Sequence, residues 1–171
     1  MGQFSNYYEY VSNEAESFVG EYIEELIEDI ENGNTDVYSF IDDYRLHEWC
    51  DNDFIYVDLI DSAEIIDQSN NVETDSGLWE GQEPQEAIKT QAFFTYRNDM
   101  YWEIKEQVEE KLNDRLSELE EELQPLQEQF DALDNKDELS EEEEDEMAEL
   151  EEEIDTITDA ISNFEEAINR L

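Results

Sequence analysis

Carboxylates dominate the side chains that could do chemistry. The 171 residues include 53 Asp and Glu against 8 Lys and Arg, with one His and one Cys. Carboxylates in pairs serve acid–base hydrolysis, and alternating oxygen ligands hold calcium. An EF-hand loop wants Gly at its sixth position and Glu at its twelfth. Counted from Asp134, Asp131 and Asp51, the sixth residues are Leu139, Lys136 and Tyr56, so none of these is such a loop. A glycosidase also needs a cleft and an apolar pocket for its acid, and carboxylates this abundant single out no pair. His47-Glu48-Trp49-Cys50 sets a base and a nucleophile three residues apart, a spacing that ordinary helix packing also explains. Zinc takes about four ligands, more than one Cys and one His supply. GxGxxG, P-loop, GxSxG and HExxH patterns are absent. The expectation is a protein without catalysis, metal or cofactor.

The formal net charge is −45. Without a basic face there is nothing to release counterions from phosphate, which excludes direct nucleic acid binding. Attraction to an anionic membrane surface is excluded for the same reason. No run of 18 apolar residues is present, so no membrane-spanning helix is expected. Met1-Gly2-Gln3-Phe4-Ser5-Asn6 lacks the basic and apolar regions of a secretory signal, and Asn6 stands where myristoylation wants Ser or Thr. A single cysteine fits a reducing compartment, and the expected location is the cytoplasm. Disorder is not expected: 38% of the residues are apolar and 12% aromatic, with only 5 Gly and 2 Pro. A halophile's solvating charge would come with abundant Ala, yet 14 Ile and 12 Asn outnumber 8 Ala.

Helices must position these charges. Tyr8, Val11, Ala15, Phe18, Tyr22, Leu26 and Ile30 recur at helical spacing, with Val19, Ile23 and Ile27 beside them. Gly33 ends that helix, and Thr35 can cap a short second one carrying Val37, Phe40, Ile41 and Tyr44. A third helix is expected from Asp53 to Ile66, since Phe54-Ile55-Tyr56-Val57 has no second strand to pair with. Residues 67–82 read as a loop. Pro84 opens a long helix whose inner face carries Ile88, Phe94, Tyr101, Ile104 and Val108, and Trp102 is expected in the core.

The clearest pattern is a pair of heptad seams. Leu112, Leu116, Leu119, Leu123, Leu126, Phe130 and Leu133 form one; Met147, Leu150, Ile154, Ile157, Ile161, Phe164, Ile168 and Leu171 form the other. The short connector 134–139 favours an antiparallel hairpin, in which Phe130 opposes Met147, Leu123 opposes Ile154 and Leu112 opposes Phe164. Ser140 and Glu143 match a capping box. Pro125 should remove one backbone bond and bend the first arm. The expected fold class is all-α: an acidic helical domain over 1–105 and an antiparallel coiled-coil hairpin over 106–171.

Charge is distributed unevenly. Residues 1–88 are net −23, residues 89–115 net −1 and residues 116–171 net −21. The near-neutral stretch holds Lys89, Arg97, Lys105, Lys111 and Arg115, whose cations are expected to pair with carboxylates of neighbouring helices. A hairpin of about 27 residues is about 40 Å long at 1.5 Å per residue, and two helices are about 20 Å wide. That is roughly one charge per 2 Å, against one per about 1.7 Å in duplex DNA. The candidate partner-binding residues are carboxylates outside the seams: Glu118, Glu121, Glu122, Glu128, Asp131, Glu142, Glu149, Glu152 and Asp155.

Size, charge and helicity together resemble the acidic DNA-mimic anti-restriction and anti-CRISPR proteins of phages and plasmids. That resemblance implies a non-enzymatic inhibitor in the host bacterial cell, whose carboxylates imitate phosphates and block a DNA-binding defence protein or nucleoprotein complex. Separately, Thr74-Asp75-Ser76-Gly77-Leu78-Trp79-Glu80-Gly81 with Gln91-Ala92-Phe93-Phe94-Thr95-Tyr96-Arg97-Asn98 is similar to a stretch of small phage proteins that carries no known activity. The heptad arm departs from compact mimics, so no particular target carries over. A homodimer would lengthen the mimic. The alternative is an acidic adaptor or assembly chaperone for a basic protein, in which Trp49, Trp79 and Trp102 would serve as anchors.

Overall fold

A computed structural model describes residues 7–42, 44–57 and 84–171. Every regular element among them is a helix: α1 Tyr7–Glu31, α2 Val37–Asp42, α3 Tyr44–Val57, α4 Pro84–Asp134 and α5 Glu141–Arg170. The fold is all-α, and α3 carries Phe54 to Val57 as helix. The part of the expected third helix beyond Val57, and the loop 67–82 with Trp79, lie outside the described residues. The chain forms two compact units. Met1–Tyr22 with Tyr38–Val108 make one; Ile23–Val37 with Glu109–Leu171 make the other. The second unit thus draws in a segment that a division at residue 105 assigns elsewhere.

In the first unit, Tyr7, Tyr10, Val11, Ala15, Phe18 and Val19 of α1 are buried with Ile41 of α2 and Leu46 and Cys50 of α3. Helix α4 closes this core with Tyr96, Met100, Ile104 and Val108, one residue per turn. This corrects the expected stripes. Tyr8, Phe94 and Trp102 are exposed, at 57%, 44% and 57%. Each belongs to an adjacent aromatic pair (Tyr7-Tyr8, Phe93-Phe94, Tyr101-Trp102), so two helical phases 100° apart are equally apolar and packing decides between them. At the first pair, the Tyr7 hydroxyl donates to Asp99 Oδ2 at 2.7 Å, which satisfies the one polar atom of the buried ring. Burial pushes the Asp99 carboxyl above its usual range, and the Tyr7 hydrogen bond opposes that shift.

In the second unit, Leu26, Ile30 and Val37 are buried along with Leu112, Phe164 and Ala167. Three helical segments enclose these side chains at the base. Along the arm, among the described residues, α4 and α5 have only each other, and burial falls accordingly. Leu119, Leu133 and Leu150 stay buried, whereas Leu123, Leu126, Phe130, Met147, Ile154 and Ile157 are half-buried. Phe130 and Ile154 both line a groove on the arm.

Local chemistry explains the helix ends. Gly33 has φ +93°; its N–H donates to Ile30 O at 2.9 Å, and Asn34 N donates to Asp29 O at 2.9 Å. This is a Schellman termination. The approach to α2 uses the Asn34 side chain, which accepts from Asp36 N at 3.4 Å, while Thr35 is buried. Pro125 is exposed, and α4 runs through it without a break. The lost bond falls on the solvent side, where water can satisfy the freed carbonyl. Residues 135–140 connect α4 to α5. Ser140 Oγ accepts from Glu143 N at 3.3 Å, and Glu143 Oε2 accepts from Ser140 N at 3.0 Å, completing the capping box. Lys136 ion-pairs with the same Glu143; with the Ser140 amide it holds that carboxyl below its usual range. Ser140→Ala should lower stability by about 1 kcal/mol, read from the urea midpoint at unchanged m-value.

Candidate functional site

The arm begins where α4 leaves the first unit's core at Val108. From Glu109 to Asp134, α4 advances about 39 Å at 1.5 Å per residue, and α5 runs back alongside. Its seam faces the partner helix, so most other positions are left to solvent. All nine candidate carboxylates are exposed: Glu118, Glu121, Glu122, Glu128 and Asp131 on α4, and Glu142, Glu149, Glu152 and Asp155 on α5. Glu121 and Glu128 stand seven residues apart, as do Glu142 and Glu149, so like charges repeat about every 10.5 Å along each helix.

The structure divides the nine into two sets. Arg115 Nη1 donates to Glu118 Oε2 at 3.2 Å and to Glu122 Oε1 at 3.4 Å, while its Nη2 reaches Glu31 Oε1 at 3.2 Å. The same guanidinium therefore ties the end of α1 to the root of the arm and partly neutralises two candidates. Glu128 accepts from Gln124 Nε2 at 3.1 Å. Among the described residues no cation partners Glu121, Asp131, Glu142, Glu149, Glu152 or Asp155. The sequence predicts that Arg115 pairs with a neighbouring helix but does not single out Glu31, which is 84 residues away.

The cations of this unit sit at the ends of the arm. Lys111 and Arg115 are at the root, Lys136 in the connector with Glu143, and Arg170 near the C-terminus with Glu166. Between them, residues 116–134 and 144–165 hold 17 carboxylates and no Lys or Arg. Asp131 and Asp155 border the groove floored by Phe130 and Ile154, together with Gln127 and Glu151, and its volume is about 500 Å³. Glu151 was not singled out in the sequence, although it directly follows the buried seam residue Leu150.

Such a surface repels itself. At 10 mM salt the Debye length is about 30 Å, longer than the separation of successive charges, and at 1 M it is about 3 Å. Raising salt from 10 mM to 1 M should therefore raise the melting temperature, by about 5 °C if screening recovers 1–2 kcal/mol. Calorimetry of the full chain reads this directly.

The first unit offers a different arrangement. Tyr38, Asp42, Phe94, Arg97, Asn98, Tyr101 and Trp102 line a cleft of about 380 Å³. Arg97 Nη2 pairs with Asp42 Oδ1 at 3.0 Å, and Tyr38 donates to Asp42 Oδ2 at 2.8 Å. The expected interhelix pairing of cations thus holds for Arg97 and Arg115. Lys105 instead lies over the Trp102 ring, 5.1 Å from its centre. Cys50 is fully buried, while His47 is exposed with its ring edge on Phe93 at 5.7 Å. Among the described residues no three His, Cys, Asp or Glu side chains converge on a point that could hold a metal ion, and no helix is long and apolar enough to cross a membrane.

No family model, characterised protein or solved structure matches the chain.

Proposed function

We propose that this protein is a non-enzymatic inhibitor that mimics duplex DNA with its surface carboxylates. It would occupy the nucleic-acid channel of a host DNA-binding defence protein, of a restriction, CRISPR or nuclease–helicase system, in the bacterial cytoplasm. One observation carries this reading: an arm of two helices presents 17 carboxylates and no cation between its two ends. Its width is about that of a duplex, and the net −21 of residues 116–171 gives a comparable linear charge density. A basic groove that gains counterion release and steering from phosphate gains both from such a rod.

The test is capture followed by challenge. The immobilised chain is exposed to bacterial lysate, bound proteins are identified, and duplex DNA is added. Mimicry expects a DNA-binding enzyme that duplex DNA displaces. A captured protein that DNA leaves in place contradicts it and favours the acidic adaptor or assembly chaperone. Exposed Tyr38, Phe94 and Trp102 favour that second reading, because aromatic anchors dominate protein interfaces.

A further inference from the structure

The aromatic cleft of the first unit is chemically unlike the rest of this chain. It lies mainly on α4 within residues 89–115, which are net −1 in a chain of net −45. Tyr38, Phe94 and Trp102 are each more than two-fifths exposed, although large apolar side chains grouped on a soluble surface usually mark a contact site. Their rings are held. Tyr38 meets Tyr101 edge to face at 5.9 Å, and Tyr101 meets Trp102 likewise at 5.5 Å.

The floor of the cleft is already neutralised. Asp42 accepts from both Arg97 and Tyr38, so among the described residues a charged occupant finds no free counter-ion there. Lys105 over Trp102 further disfavours a cation at that rim. Arg97 is nonetheless short of an acceptor, since its Nε is buried without a hydrogen-bond partner among the described residues. Buried polar groups are ordinarily satisfied. The fitting occupant is uncharged and aromatic, with a carbonyl for the guanidinium or for the Asn98 amide.

We propose that the cleft lined by Tyr38, Phe94, Arg97, Tyr101 and Trp102 is a docking site for an aromatic side chain of a protein partner. The neutral floor and near-neutral flank match an uncharged anchor; the acidic arm cannot make such a contact. Aromatic anchors in pockets supply discrimination that survives salt, whereas exposed charge pairs lose strength as salt rises. The site stands on the first unit alone and does not depend on mimicry by the arm.

N-acetyltryptophanamide is the probe, titrated into the full chain and followed by two-dimensional NMR at 20 mM and 300 mM salt. The expected result is saturable shifts of the Trp102 indole and Arg97 Nε–H signals, with a dissociation constant of order 1 mM that changes less than twofold between the salts. Trp102→Ala should weaken binding at least tenfold. Tyr8→Ala, which removes an exposed ring that does not line the cleft, should leave it unchanged. Phe94→Ala serves as a second variant, since both positions are exposed and the fold does not depend on them. No saturable shift up to 20 mM would overturn the proposal. So would tighter binding of N-acetylargininamide or adenosine, or equal losses in Tyr8→Ala and Trp102→Ala.

Discussion

Replacing Glu121, Asp131, Glu142, Glu149, Glu152 and Asp155 together by Gln or Asn should weaken binding to a basic partner about 10- to 10⁴-fold. Each exposed charge pair contributes about 0.2–1 kcal/mol, so six sum to about 1–6 kcal/mol, at 1.4 kcal/mol per tenfold. These six have no cation partner among the described residues, so the substitutions break no ion pair of the fold. They relieve repulsion, and the melting temperature should stay level or rise. Glu118 and Glu122 should behave otherwise. Arg115 holds both, at 3.2 and 3.4 Å, so their replacement loosens the root of the arm and loses less affinity per charge. Isothermal titration against the captured partner, with melting curves of each variant, separates the two sets. Equal effects of the paired and unpaired carboxylates would contradict this division.

The largest expected loss of stability is at the base of the second unit. Phe164 is completely buried, as are Leu112 and Ala167. Phe164→Ala should lower stability by about 3–5 kcal/mol, the transfer free energy of the ring plus the cavity it leaves. That is a large part of the 5–15 kcal/mol usual for a folded domain. Ile157→Ala, half-buried in the seam, should lower it by less than half as much, because its site is already open to water on one side. Urea unfolding reads both. A similar shift for the two would mean that the arm, rather than the three-segment base, holds this unit together.

The same packing decides how the arm can be shortened. Cutting away residues 116–171 would remove Phe164 and Ala167 and expose the apolar residues Leu26, Ile30 and Val37 in the same unit. Excising residues 117–130 and 147–160 instead removes two heptads from each helix. It keeps the seam in phase, retains the Ser140 box and takes away 11 carboxylates without a cation. Such a chain should stay folded and helical while its affinity for a basic partner collapses.

The parts of the fold legible in the sequence are those set by local or periodic chemistry. Heptad spacing marks both arm helices, the Ser140–Glu143 pair marks the start of α5, and Gly33 marks the end of α1. Where two phases were equally apolar the sequence could not choose, and Tyr8, Phe94 and Trp102 went outward because their neighbours Tyr7, Phe93 and Tyr101 pack inward or half inward. The carboxylate surface of the arm was legible as density outside the seams. Its division into paired and unpaired members was not, because at this carboxylate density spacing alone does not say which neighbours Arg115 holds: Glu118 and Glu122 on its own helix, and Glu31 84 residues away. The cleft was equally hidden, since Tyr38 and Asp42 meet Arg97 and Tyr101 only through tertiary packing.

The most direct measurement of the central claim is a competition titration. The captured enzyme is held at fixed concentration, and the apparent dissociation constant of this protein is measured at increasing duplex DNA. Mimicry predicts a linear rise with DNA concentration, with no ternary complex at saturation. A dissociation constant that levels off, with enzyme, DNA and this protein in one complex, would contradict it.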